Sequence, residues 1–249
     1  MSNKRVIVGL TGPSVFSSLL RQMVIDVFKA IPLDINQNDG DIEPIFNVCD
    51  FIILGGGCDI YPPNLPSEYI ENENREIERH SGYSKFDNAR DLREIEIISL
   101  AEKYKKNIFG ICRGHQMLLA QKGLNLITDI SNSQILHSGK DVELDGMPAH
   151  YLRCIGKAKE EFFDKGMVNS FHHQAIEFTN CVEALKFNVE VLGTSILNYP
   201  TKQNSNPEYI IEMARGKGFF SVQFHPESDY ETNPISQKIL NYVKKNLFI

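Results

Sequence analysis

The chain has 249 residues, 42% hydrophobic and 23% charged, an ordinary globular composition long enough to bury a core without disulfide or metal staples. Twenty-six Lys plus Arg against 32 Asp plus Glu leave a net charge of −6, which offers no electrostatic footprint to a nucleic acid. Cys49, Cys58, Cys112, Cys154 and Cys181 are odd in number, scattered and without a C-x-x-C pair, so a reducing, cytoplasmic location is expected rather than a disulfide framework or a zinc ribbon.

At the N-terminus the apolar run Val6-Ile7-Val8 is too brief for a signal-peptide core or a membrane span. Arg5 to Leu10 reads as a short β-branched strand, and Phe16 to Ala30 carries Leu19, Leu20, Met23 and Val27 at helical spacing until Pro32 stops it. Phe51 to Leu54 is a second strand, ending in Gly55-Gly56-Gly57. The polar stretch Ser67 to Arg90 has two readings, a solvated surface or a lid over a site. Leu92 to Tyr104 is helical in pattern, Asn107 to Ile111 is a third buried strand, and Arg113 to Gln121 a helix. Continuous apolar strands alternating with helices predict an α/β fold with a mostly parallel sheet covered on both faces. The second half reads as strand-rich: Leu152 to Ile155, Val182 to Phe187, Val189 to Leu192, Tyr209 to Met213 and Phe219 to Val222, closed by a helix from Ile235 to Lys245. No repeat or low-complexity linker interrupts the chain, so one domain over residues 1–249 is expected.

Gly110-Ile111-Cys112-Arg113-Gly114-His115-Gln116 places a cysteine where a buried strand turns into a helix, with glycines on both sides for close packing. Such a turn exposes the sulfur, and a helix N-terminus favours the thiolate, the attacking species. The other four cysteines read as small buried hydrophobes. A nucleophilic cysteine needs a base. In His225-Pro226-Glu227, residues two apart in an extended stretch face one site, so Glu227 can orient the imidazole. His115 lies on the helix leading away from Cys112, and the adjacent pair His172-His173 reads as a loop hydrogen-bonding element, which leaves His225 as the expected base. Two neighbouring histidines without a spaced third ligand do not announce a metal, and none is expected. Acyl transfer also needs oxyanion donors, for which the glycine triplet and the N–H of Arg113 are the candidates.

Together these residues resemble the class I glutamine amidotransferase superfamily, whose signature is a G-x-C-x-G-x-Q turn followed far downstream by H-P-E; both are complete here. Within it the chain is similar to the free-standing γ-glutamyl hydrolases of peptidase family C26. Gly55 to Pro62, Arg90 to Glu94 and Val168 to Gln174 match that branch, as does Arg113, where synthase-linked glutaminases usually carry an apolar residue. The resemblance runs from about Arg5 to the C-terminus and implies a three-layer, flavodoxin-like class I glutamine amidotransferase fold. It implies a Cys112–His225–Glu227 triad, an oxyanion hole from Gly57 and the Arg113 backbone with the choice between Gly56 and Gly57 open, and no cofactor. It assigns Gly56 and Gln116 to the γ-glutamyl site, and Ser170, His172, His173 and Gln174 to the α-carboxylate and α-amine. Arg90, Asp91 and Glu94 read as a helix-capping and salt-bridge set that props Arg113, or as further site residues. The expected partner is a small γ-glutamyl substrate, with no nucleic acid, membrane or obligate synthase partner. Two rivals stand beside this reading: a glutaminase subunit that delivers ammonia to a synthase, and a silent binding module on the same fold. Cys58 and residues 67–90 differ from the family pattern and bear on the acceptor side of the substrate.

Overall fold

Phe51–Leu54 is apolar at all four positions because both of its faces are covered: Phe51 and Ile53 join one buried cluster, Ile52 and Leu54 another. The computed structural model describes residues 5–12, 14–36, 40–61, 86–130, 143–144, 147–200 and 206–248. Its first half runs β1 (Ile7–Thr11), α1 (Ser14–Met23), β2 (Ile31–Asp34), α2 (Glu43–Val48), β3 (Phe51–Leu54), α3 (Asn88–Tyr104), β4 (Ile108–Ile111) and α4 (Arg113–Gln121). The second half runs β5 (Leu126–Ile127), β6 (Glu143–Leu144), β7 (Met147–Cys154), α5 (Ala158–Glu161), β8 (Lys165–Asn169), β9 (Ala175–Phe178), α6 (Cys181–Lys186), β10 (Glu190–Asn198), β11 (Glu208–Gly216), β12 (Phe219–Val222) and α7 (Pro234–Asn246).

Strands β2-β1-β3-β4-β12 form the parallel half of the sheet, in that order, and β11, β10 and β7 extend it antiparallel. One face packs against Phe46 of α2, Ile97 and Ile98 of α3 and Met117 to Ala120 of α4. The other packs against Leu20 and Met23 of α1 and Ile239, Leu240 and Val243 of α7. The expected three layers are present. Among the described residues no helix is long and apolar enough to cross a membrane.

Two sequence expectations need correction. Phe16 to Ala30 is not one helix: α1 passes into a wider π turn, Val24–Phe28, which a left-handed Lys29 ends, and Pro32 then lies inside β2. β2 is the sheet's outer strand, where a residue lacking an N–H is tolerated. Val182 to Phe187 is not a strand: Cys181–Lys186 is the helix α6 and Phe187 follows it. Asn180 caps it by accepting the Glu183 N–H at 2.9 Å, and Val182 and Leu185 point to solvent. The stretch 67–90 lies outside the described residues as far as 85.

Candidate active site

Parallel pairing explains why three distant segments meet. Leu54 of β3 is in register with Gly110 of β4, and Ile111 with Val222 of β12, so all three chains leave the sheet at the same edge. The segments leaving it are the glycine triplet, the Cys112 turn and the His225 loop.

Cys112 caps α4 at φ 51, ψ −106, a backbone strained for any residue with a side chain. Its N–H donates to the Val222 carbonyl at 2.9 Å and its carbonyl accepts the Gln116 N–H at 3.0 Å, which clamp the turn from both sides. Helix α4 must start almost touching the sheet, since a Cβ on Gly114 would fall 2.1 Å from the Leu54 carbonyl oxygen. His225 is buried, with Nδ1 2.7 Å from Glu227 Oε1 and its ring within hydrogen-bonding reach of the Cys112 side chain. Burial disfavours charge on this imidazole, yet Glu227 and Cys112 beside it outweigh burial and hold its pKa well above 6.5. Burial pushes the Cys49 and Cys154 thiols up to about 11, whereas Cys58 is half-buried and Cys181 exposed, which corrects the expectation that all four other cysteines are buried.

Gly56 lies against the imidazole, where a Cβ would fall 2.6 Å from His225 Cε1, while Gly57 beside it has φ 152, a conformation glycine favours. Gly56→Ala is expected to displace His225 and lower hydrolytic turnover by about 100-fold or more while the fold persists, as measured by activity and circular dichroism. Behind both loops sits a buried ionic cluster. The Arg113 guanidinium is hydrogen-bonded to Asp91 and Glu94. Arg90 reaches Glu94 at 2.9 Å and the Gly55 carbonyl at 2.9 Å, and Thr11 donates to Glu94 at 2.6 Å. Of the two readings open for Arg90, Asp91 and Glu94, the propping set is what the geometry displays.

The peptidase C26 family model matches residues 16–227. The chain belongs to the peptidase C26 family. YvdE of Lactococcus lactis subsp. lactis, described as glutamine amidotransferase-like, is 30% identical over 89% of this chain and 86% of its own length. Protein NtpR of Enterococcus hirae is 28% identical over 78% and 73%. A Thermotoga maritima glutamine amidotransferase superposes with a TM-score of 0.55 at 13% identity, covering 98% of this chain and 84% of that one. The glutaminase domain of Trypanosoma brucei CTPS does so with a TM-score of 0.57 at 12% identity, covering 97% and 93%. At these identities the structures establish the class I glutamine amidotransferase fold. The family makes the protein a hydrolase of glutamine amidotransferase type.

In this C26 chain the loop after β8 supplies the residues expected at the α-carboxylate and α-amine, several of which have internal partners. Gln116 donates to the Gln174 carbonyl at 2.7 Å and to Gln223 Oε1 at 3.1 Å; Gln174 Oε1 accepts the Ile60 N–H at 2.9 Å. These two amides tie the loop to α4 and to the segment after the glycine triplet. Ser170 and His172 are buried, and half-buried His173 stands 2.7 Å from Asp59, whose hydrogen bond raises its pKa against the effect of burial. Arg75, Arg79 and Lys85, cations of the polar stretch 67–90, lie outside the described residues.

His115, the first competing base, is a core histidine: Nδ1 is 2.9 Å from Ser221 Oγ and Nε2 3.0 Å from the Ile211 carbonyl. Burial pushes it down to about 4, so it is neutral in the fold at pH 7. Since the unfolded chain binds this proton near 6.5, stability is lost as pH falls from there through about 4, by up to about 3 kcal/mol. Urea unfolding at pH 7 and pH 4.5 is expected to show a smaller acid loss in His115→Gln than in the parent chain.

Asn169 is the site residue to which the sequence attached no role. Its amide accepts the His225 N–H at 2.8 Å and donates to the His225 carbonyl at 2.8 Å and to Asp229 at 3.0 Å, fixing the loop that carries the imidazole. Phe171 adds an edge-on ring contact, with centroids 5.9 Å apart. The only local signal is that an asparagine precedes the Ser170 loop.

Proposed function

We propose that the protein hydrolyses a γ-glutamyl amide-type bond with Cys112, His225 and Glu227 as its triad. The observation that carries this is the strained cysteine on the α4 N-terminus in contact with an imidazole that Glu227 orients and that burial does not strip of its charge. The thiolate attacks the γ-carbonyl carbon, forming a C–S bond, and the N–H groups of Gly57 and Arg113 receive the oxyanion. His225 gives its proton to the leaving nitrogen as the C–N bond breaks. A water then gives a proton back to His225 and adds to the thioester, releasing glutamate and the thiolate. Glu227 holds the imidazole with Nδ1–H toward itself, leaving Nε2 for this proton traffic.

The leaving group we put first for testing is cytidine diphosphoramidate, from γ-L-glutamyl-CDP-amidate in capsular polysaccharide phosphoramidate biosynthesis. γ-Glutamyl polyamines and γ-glutamyl-γ-aminobutyrate are the competing substrates. The test is to incubate the whole chain with each of these and with free glutamine, measuring released glutamate. Rapid turnover of one conjugate and slow turnover of glutamine supports a free-standing hydrolase and names its leaving group. Turnover of glutamine alone would replace this reading with that of a synthase-linked glutaminase.

A further inference from the structure

A second group of buried side chains lies outside the Cys112–His225–Glu227 set. His150 on β7, Glu212 on β11 and His172 on the loop after β8 come together so that one ring nitrogen of each histidine and one oxygen of the carboxylate all lie within 4.8 Å of one another. The three are 4%, 0% and 5% exposed in that order.

His172 is held as an oriented metal ligand would be, whereas His150 and Glu212 share a hydrogen bond whose proton a metal ion would displace. His172 Nδ1 lies 2.9 Å from the Gln174 carbonyl oxygen, to which it must donate, so the lone pair of that ring is on Nε2. Glu212 Oε1 accepts Ser195 Oγ–H at 2.7 Å and stands 2.8 Å from His150 Nε2. Two of the three donors sit on sheet strands, which hold them more rigidly than loops do.

Charge points the same way. Glu212 is fully buried, and its ion-pair partner His150 is charged only when protonated. A buried carboxylate is costly unless a cation matches it, and either that proton or a metal ion bound by His150 can do so. Two imidazoles and one carboxylate are the donor set of borderline-soft ions such as Zn²⁺, whereas Ca²⁺ and Mg²⁺ prefer oxygen alone. Bonds of about 2.1 Å in a tetrahedron put ligand atoms about 3.4 Å apart. The His150–Glu212 pair at 2.8 Å has to open slightly, and the outer limit of 4.8 Å has to close.

We propose that His150, His172 and Glu212 bind one divalent transition-metal ion of the zinc class, with the fourth position taken by water or a small ligand. The Gln174 carbonyl that orients His172 is also the acceptor of Gln116 Nε2–H, so the ion fastens the Ser170–Gln174 loop to the helix that begins at Cys112. This site does not depend on which bond Cys112 cleaves. No local spacing announces it, because the partners of His172 come from distant strands and its sequence neighbour His173 is engaged by Asp59.

The test uses the full chain carrying Cys112→Ala, so that the reactive thiol takes no part, after removal of metals with a chelator. Zn²⁺ is titrated in competition with a chromophoric chelator, and Co²⁺ is added separately as a spectroscopic probe. One equivalent of Zn²⁺ and the intense visible bands of four-coordinate Co²⁺ without thiolate charge transfer are expected. Glu212→Gln and His172→Ala, each shown to be folded by circular dichroism, are expected to weaken Zn²⁺ binding by about 100-fold or more. His172→Ala lies on a loop, so it remains informative if the strand variant Glu212→Gln does not fold. Absence of stoichiometric binding, or binding that survives both substitutions, overturns the proposal.

Discussion

Cys112→Ala is expected to abolish glutamate release, by about 10⁴-fold or more, while leaving the fold intact. The alanine keeps φ 51, so the backbone strain stays in the variant and only the sulfur is lost. Cys112→Gly should be equally inactive yet more stable than Cys112→Ala by about 1 kcal/mol, because glycine relieves a strain worth about 1–3 kcal/mol and loses part of that gain to its larger unfolded-state entropy. Urea titrations of the two dead variants measure the difference directly. The pH profile of the active chain supplies an independent readout. In the proposed mechanism His225 is protonated when it serves the leaving nitrogen, and its pKa is held well above 6.5, so the basic limb of kcat/KM is expected well above 6.5. Glu227→Gln removes one of the two negative groups responsible, and the limb should move to lower pH along with a large fall in kcat. An unmoved limb would mean that another group delivers the proton.

What could be read from the chain, and what could not, divides along the range of the interactions. Phe51–Leu54, Ile108–Ile111 and Phe219–Val222 announce themselves because strands buried on both faces are uninterrupted apolar runs, and the cysteine turn and His225-Pro226-Glu227 follow two of them directly. Their meeting at one sheet edge follows from parallel pairing, which the βαβ pattern implies. β2 was hidden because Pro32 reads as a stop unless one knows that the strand lies at the edge of the sheet. α6 was hidden because Val182, Leu185 and Phe187 suggest a strand, although Asn180 followed by Glu183 is a capping pattern that could have been recognised. The roles of Asn169 and Glu212 are set by partners on other segments, which no local period encodes.

The largest stability effect is expected at Glu94. Its two oxygens receive Thr11, Arg90 and Arg113, all in a region closed to water. Burial alone would raise this carboxyl, but the two guanidinium groups outweigh it and hold the pKa below 4.5. The arginines respond differently. Arg113, between Glu94 and Asp91, is raised in spite of burial, whereas Arg90 is lowered by burial with Arg113 close by. Both are cations at neutral pH. Glu94→Ala therefore leaves two buried positive charges with one carboxylate, Asp91, and should cost about 3–5 kcal/mol, a large share of the roughly 5–15 kcal/mol that holds a domain together. Glu94→Gln, which keeps the shape and loses the charge, should fall between that variant and the parent. Because the folded pKa lies below the unfolded one, the contribution of Glu94 is present above pH 4.5 and disappears as pH falls through the lowered value. The cluster also joins the two sides of the proposed oxyanion hole: Arg90 holds the Gly55 carbonyl just before Gly56 and Gly57, and the Arg113 side chain anchors the residue proposed as the second donor. Loosening it should lower kcat per folded molecule as well as the urea midpoint, and Arg113→Lys, which cannot reproduce the two-pronged contact, should do both. A Glu94→Ala protein as stable as the parent would mean that the cluster is not what holds these loops together.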